Sequence, residues 1–197
     1  MAEPPDPPAA LRVKPKPPGD GGLARRVEEM LRVDHAGEYG AVAIYRGQRA
    51  VFARAMRTRS VARAIHGMER QERAHLDAFD TLLLERRVRP TALAPVWNVA
   101  GYALGVATAL LGARAAHACT EAVESVIERH YGDQVDELER ADAEPELKAT
   151  FAAFRADELA HKEEAIEAGA RDAPGYPLLS ALIRMGCRAA IKLSEKV

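Results

Sequence analysis

The strongest constraint on this chain is an internal echo. Glu72-Arg73-Ala74-His75 returns 86 residues later as Glu158-Leu159-Ala160-His161, and the same shift lays Glu38 on Glu124, Tyr45 on Tyr131, Gln48 on Gln134 and Arg54-Ala55 on Arg140-Ala141. Each ExxH is thus preceded by a Glu 34 residues upstream. On a helix, residues three apart share a face about one turn apart, so each acid and imidazole can grip one small object. A single ExxH is common on solvated helices. Two copies with matched upstream acids carry more, because a four-helix bundle can aim four carboxylates and two imidazoles inward. Burying four carboxylates uncompensated would be prohibitive, whereas two divalent ions bring such a cluster to about neutral. Oxygen and nitrogen donors without thiolates suit iron or manganese over zinc, and iron is the better fit to oxygen chemistry.

The chain has 197 residues, 48% of them apolar, which is enough for one domain with a substantial core. A net charge of -1, aromatics at 5% and no basic stretch interleaved with aromatics exclude a general nucleic-acid binder. Cys119 and Cys187 form no CxxC pair, and the first residues lack a secretory pattern, so a reducing compartment without a disulfide framework is expected. Residues 1–22 hold seven prolines and three glycines and are predicted to be a disordered tail, with the folded domain over 23–197. Gly19-Asp20-Gly21-Gly22-Leu23-Ala24 matches GxGxxA formally, but no strand pattern precedes it, so it reads as a hinge into the first helix.

Apolar periodicity predicts helices over 23–56 and 60–87, joined by a turn at Arg57-Thr58-Arg59, and a second pair over 115–141 and 144–168. A last amphipathic helix runs over 177–196. Nothing alternates with period two, so the expected architecture is all-α: a four-helix bundle with an internal two-fold repeat plus two additional helices. Residues 90–113 are 24 in a row without a charge. Within them, Val96 to Ala113 admits three readings: a helix buried in the domain, an interfacial helix touching a membrane, or a span at the lower limit of length. The run Tyr39 to Met68 contains six arginines and no acid, so one end of the first hairpin should suit anionic headgroups.

Longer strings carry a family resemblance from about Leu31 to the C-terminus. They include Arg32-Val33-Asp34-His35-Ala36-Gly37-Glu38-Tyr39-Gly40-Ala41, Arg89-Pro90-Thr91, Trp97-Asn98, Thr108-Ala109-Leu110-Leu111-Gly112, Ala118-Cys119-Thr120, His130-Tyr131, Gly186-Cys187-Arg188 and Leu193-Ser194-Glu195. With these the chain resembles the demethoxyubiquinone hydroxylases of ubiquinone biosynthesis, within the ferritin-like di-iron carboxylate proteins. The resemblance implies two iron ions held by Glu38, Glu72, His75, Glu124, Glu158 and His161, the same six that the repeat selects. By analogy with that fold, Glu72 and Glu158 bridge the ions and Glu38 and Glu124 are terminal. Glu121, one turn before Glu124, competes with it for that place.

The implied reaction is O2-dependent hydroxylation of the unsubstituted ring carbon of a polyprenyl methoxy-methyl-benzoquinol. NADH would be the electron source, reaching the iron through the quinone itself or by transient docking. His130 and Tyr131 resemble a family pair linked to substrate and electron transfer, with a packing role as the competing reading. Tyr45 reads as a packing residue, and His35, His66 and His117 as surface or packing residues. Asp157 and Gln71, each just before an ExxH, are predicted to orient the opposing imidazoles, Asp157 on His75 and Gln71 on His161. An insoluble prenyl tail implies peripheral contact with the cytoplasmic face of a bacterial inner membrane. The family also has a lipid-binding partner protein of the same pathway, and a homo-oligomer stays open. A ferroxidase or iron-storage subunit on the same fold is the alternative, against which the uncharged stretch at 90–113 speaks.

Overall fold

A computed structural model describes residues 21–196. Its α-helices are α1 (Gly21–Phe52), α2 (Arg59–Arg86), α3 (Ala94–Leu110), α4 (Ala113–Arg140), α5 (Pro145–Glu167) and α6 (Tyr176–Ser194). No strand occurs among the described residues, as expected for an all-α fold. The predicted tail lies mostly outside the described residues, but Gly21 and Gly22 already belong to α1 rather than to that tail.

Ion pairs fix the directions of the helices. Arg49 pairs with Glu69 and His35 with Asp80, so α1 and α2 are antiparallel; Lys148 pairs with Glu139 and Arg155 with Glu128, so α4 and α5 are antiparallel too. The two hairpins face each other, and α3 covers α1 while α6 covers α4. Two apolar layers fill the bundle. One contains Met30, Leu31, Phe79, Tyr131, Leu138 and Phe151, the other Tyr45, Phe52, Ile65, Met68 and Ala116. Each fully buried large side chain in them contributes roughly 1.5–3 kcal/mol.

The α1–α2 turn falls earlier than the sequence suggested. Helix α1 stops at Phe52 rather than Met56, because the Thr58 hydroxyl donates to the carbonyls of Phe52 (2.7 Å) and Ala55 (3.0 Å) and folds the chain back. No proline or glycine marks that point.

Helix α3 narrows the readings of the uncharged stretch. No helix among the described residues is long and apolar enough to cross a membrane. Nor is α3 buried all round: Gly101, Gly105, Thr108 and Ala109 are buried, whereas Val96, Val99 and Leu110 are exposed. The buried face works through missing side chains. A Cβ on Gly105 would lie 2.0 Å from the Ile44 carbonyl oxygen, and one on Gly101 2.7 Å from that of Gly40. Small residues at this spacing let two helix backbones approach closely.

Candidate metal centre

The two hairpins bring Glu38 from α1, Glu72 and His75 from α2, Glu124 from α4, and Glu158 and His161 from α5 to one point between the apolar layers. None is more than 4% exposed. They form two overlapping groups, Glu38, Glu72, His75 and Glu158, and Glu72, Glu124, Glu158 and His161, whose donor atoms lie within 4.8 Å of one another. Glu72 and Glu158 belong to both. The His161 Nδ1 is 2.9 Å from Glu72 Oε1, and the His75 Nδ1 is 3.2 Å from Glu158 Oε1.

Both oxygens of Glu72 and of Glu158, Oε2 of Glu38 and of Glu124, and Nδ1 of both histidines are buried without a hydrogen-bond partner. Buried polar atoms are almost always satisfied, so lone pairs converging in this number fit divalent cations. The outward ring nitrogens are held in place. His75 Nε2 donates to Asp157 Oδ2 at 3.0 Å and His161 Nε2 to Gln71 Oε1 at 2.9 Å, the pairing predicted from sequence. With the proton on Nε2, each Nδ1 keeps its lone pair facing inward.

Tyr45 does more than pack. Its hydroxyl donates to Glu124 Oε1 at 2.6 Å, and the Tyr131 hydroxyl donates to Glu38 Oε1, so each half's tyrosine steadies the other half's carboxylate. The 86-residue shift that pairs Tyr45 with Tyr131 was the signal for this role. Glu121 faces away from the cluster, accepting hydrogen bonds from Arg184 (2.8 Å) and Tyr176 (3.0 Å), and so ties α6 to α4. His130 lies 3.2 Å from Asp34 Oδ1, which also accepts from Gln134 Nε2 at 3.0 Å; sequence reasoning missed this buried Asp34 group. His35 is buried against Asp80, His117 is buried, and His66 is exposed, as expected of residues outside the centre.

Without a cation the cluster must hold protons. Burial pushes the Glu38, Glu72 and Glu124 carboxyls up, and repulsion from the neighbouring carboxylates adds to this. Burial also acts on Glu158, but the imidazoles of His161 and His75, drawn up against it when protonated, outweigh it and hold that carboxyl below its ordinary value. Burial alone would depress His75; the carboxyls of Glu158 and Glu38 beside its Nδ1 instead raise it to about 10.

The signs then follow. A group raised in the folded state contributes stability that is full below its unfolded pKa and is lost as pH rises through the folded one. The three raised carboxyls therefore withdraw stability as pH climbs from about 4.5, and His75 withdraws its share from about 6.5 towards about 10. Glu158 acts oppositely and withdraws its contribution only in acid. The metal-free protein should accordingly melt at lower temperature as pH rises from about 5 to 9, while two bound divalent ions replace the protons and flatten the profile. Calorimetry on stripped and loaded protein measures this, and a gap between the two that does not widen with pH would count against the assignment.

Beside the centre, a groove of about 550 Å³ runs between α1, α3, α4 and α6. Ala41 and Ile127, one turn beyond Glu38 and Glu124 along their helices, line it together with Leu104, Leu179, Ile183 and Ile191. Its size and apolar lining are those of a small-molecule site.

The sequence pattern of the family described as ubiquinone biosynthesis protein COQ7 matches residues 25–194. The 3-demethoxyubiquinol 3-hydroxylase of Rhodospirillum rubrum is 51% identical over 180 residues, covering 91% of this chain and 82% of that protein. The mitochondrial NADPH-dependent 3-demethoxyubiquinone 3-hydroxylase of Rattus norvegicus is 51% identical over 172 residues, covering 86% and 77%. The mitochondrial 5-demethoxyubiquinone hydroxylase of Saccharomyces cerevisiae is 38% identical over 184 residues, covering 87% and 78%.

Proposed function

Since this chain belongs to the COQ7 family of ubiquinone biosynthesis proteins, we propose that it hydroxylates the ring of a polyprenyl demethoxyubiquinol, using two iron ions held by Glu38, Glu72, His75, Glu124, Glu158 and His161. The observation that carries the metal reading is the set of buried, unpartnered oxygens and Nδ1 atoms that converge from four helices. Two iron ions bound there supply the activation of O2.

The rest of the task falls to the protein. Glu72 and Glu158, which belong to both donor groups, would help to hold both ions, while Glu38 and Glu124 would each serve one of them. Tyr45 and Tyr131 hold those terminal carboxylates, and Asp157 and Gln71 hold the imidazoles, so the donor set is arranged before the substrate arrives. The groove takes the quinol: Ala41 and Ile127 of its lining lie one turn along their helices from Glu38 and Glu124, and its apolar lining accepts the ring and the first prenyl units while keeping water out. His130 and Tyr131 serve substrate and electron transfer, Tyr131 from its place on Glu38 and His130 from its place on Asp34. Electrons come from a reduced nicotinamide dinucleotide.

The substrate also dictates a location. A polyprenyl tail is carried in a bilayer, and the exposed apolar side chains of α3 and α6, among them Val96, Val99, Leu178, Leu182 and Met185, suit contact with lipid. The six arginines from Arg46 to Arg63 suit anionic headgroups, which supports a peripheral position on the cytoplasmic face of a bacterial inner membrane. A lipid-binding protein of the same pathway is its expected partner.

One experiment tests activity and location together. Iron-loaded protein mixed with liposomes containing anionic lipid and demethoxyubiquinol, and supplied with NADH and O2, should float with the vesicles and yield the hydroxylated quinol. No hydroxylated product would sink the activity. Product without flotation would sink the membrane contact alone.

A further inference from the structure

The scaffold is nearly two-fold, but its charges are not. The shift of 86 residues that exchanges Glu38 with Glu124 and His75 with His161 also exchanges Gln71 with Asp157 and Asp34 with Thr120. His75 consequently donates from Nε2 to a carboxylate at 3.0 Å, whereas His161 donates from the equivalent atom to a neutral amide oxygen at 2.9 Å. Buried Asp34 lies one turn from Glu38; buried Thr120 takes its place one turn from Glu124. Both anionic members of these two pairs serve the half that contains Glu38 and His75; the shift also sets His35 against buried Glu121, one turn from Glu124, but Arg184 neutralises that acid. The tyrosines do not distinguish the halves, because Tyr131 on Glu38 is matched by Tyr45 on Glu124.

We infer that the two metal positions are unequal: the ion held by Glu38 and His75 binds more tightly, fills first and leaves last, and Asp157 is the residue that sets the order. This rests on the two-metal reading proposed above. An anionic acceptor draws the Nε2 proton more strongly than an amide oxygen does, which leaves Nδ1 of His75 the better electron-pair donor to a cation. Asp157 also adds a negative charge close to that half alone. Asp34 acts in the same direction but more weakly, because its carboxylate is shared with His130 and Gln134. Asp157 and Gln71 are positioning residues in this scheme, since each acts through an imidazole.

The test is anaerobic titration of the metal-free full chain with Co(II), with anomalous scattering from crystals grown at one equivalent. The expected result is two binding steps separated by about tenfold or more, the scale on which partners of a ligating histidine act, with the first ion beside His75. Isosteric substitutions preserve packing while moving the charge. Asp157→Asn should weaken the first step about tenfold, Gln71→Glu should tighten the second, and the double substitution should place the first ion beside His161. Even occupancy at one equivalent in the parent, or an order that the double substitution leaves unchanged, overturns the inference. Failure to bind Co(II) at all would instead overturn the metal centre on which it rests. A purely structural role for Asp157 would lower stability without moving the order of filling.

Discussion

Replacing Glu72 with glutamine should abolish metal loading and quinol hydroxylation together while leaving the metal-free protein more stable than its parent. Glu72 is fully buried, both its oxygens lack a hydrogen-bond partner, and burial with repulsion from Glu158, Glu38 and Glu124 pushes its carboxyl well up. Such a residue weakens the empty fold and contributes once a cation arrives. Glutamine keeps the shape, removes the repulsion and cannot bridge two ions. Metal content should fall from two ions per chain to below one. Turnover should fall by well over about 100-fold, since even the outer partners of a metal ligand are worth about 10–100-fold. Metal analysis, a hydroxylation assay and the melting temperature of stripped protein measure the three effects. Near-parent turnover would remove Glu72 from the centre. A stripped variant that melts lower than the parent would mark its role as structural.

The second large effect is expected far from any donor atom. Gly105→Ala places a methyl 2.0 Å from the Ile44 carbonyl oxygen and 3.1 Å from the Gln48 amide nitrogen, both backbone atoms of α1 that cannot rotate aside. Helix α3 must then move away from α1, and Leu104 and Gly101, which line the groove, move with it. The expected loss of stability is about 3 kcal/mol, the upper part of the range for overpacking, or roughly 6–12 °C in melting temperature for a domain of this size. Quinol turnover should fall while iron content stays near two per chain, because α3 supplies none of the six donors. Gly67→Ala is the control. It lies in α2 with nothing within 4 Å of its added Cβ, so alanine should stabilise that helix by about 0.5–1 kcal/mol. If Gly105→Ala melts like the parent, the close approach of α1 and α3 is not what holds the groove together.

The candidate centre was unusually legible before folding was considered. Glu38, Glu72, His75, Glu124, Glu158 and His161 could be picked out because a duplicated helix pair writes the same donors twice, and the spacing of three within each ExxH already puts acid and imidazole on one face. The orientation of the imidazoles was legible for a related reason. A residue just before a buried ligand points sideways towards the next helix, which is where Asp157 meets His75 and Gln71 meets His161. Tyr45 was harder to place, since a tyrosine in an apolar stripe fills a core equally well whether or not its hydroxyl reaches Glu124. Glu121 and Glu124 sit one turn apart and differ only in the helix they meet. Arg184 and Tyr176 claim Glu121 from α6, more than fifty residues along the chain.

What the sequence determined by itself is everything carried by separation along one helix: the helical period, the duplicated donors and the absence of thiolates. What only the tertiary structure decided is everything carried by the meeting of two helices. Helix α3 is the plainest case. Its uncharged residues allowed burial, lipid contact or a span, and only the packing of Gly101 and Gly105 on Gly40 and Ile44 selected the face that is buried and the face that stays exposed. The same holds for the charge imbalance between the two halves of the centre. Asp157 and Gln71 are only two polar residues on separate helices until the bundle sets each against the imidazole of the opposite hairpin. The physical reason is that a contact across a core has an energy only once both surfaces exist, and neither segment encodes the other's position.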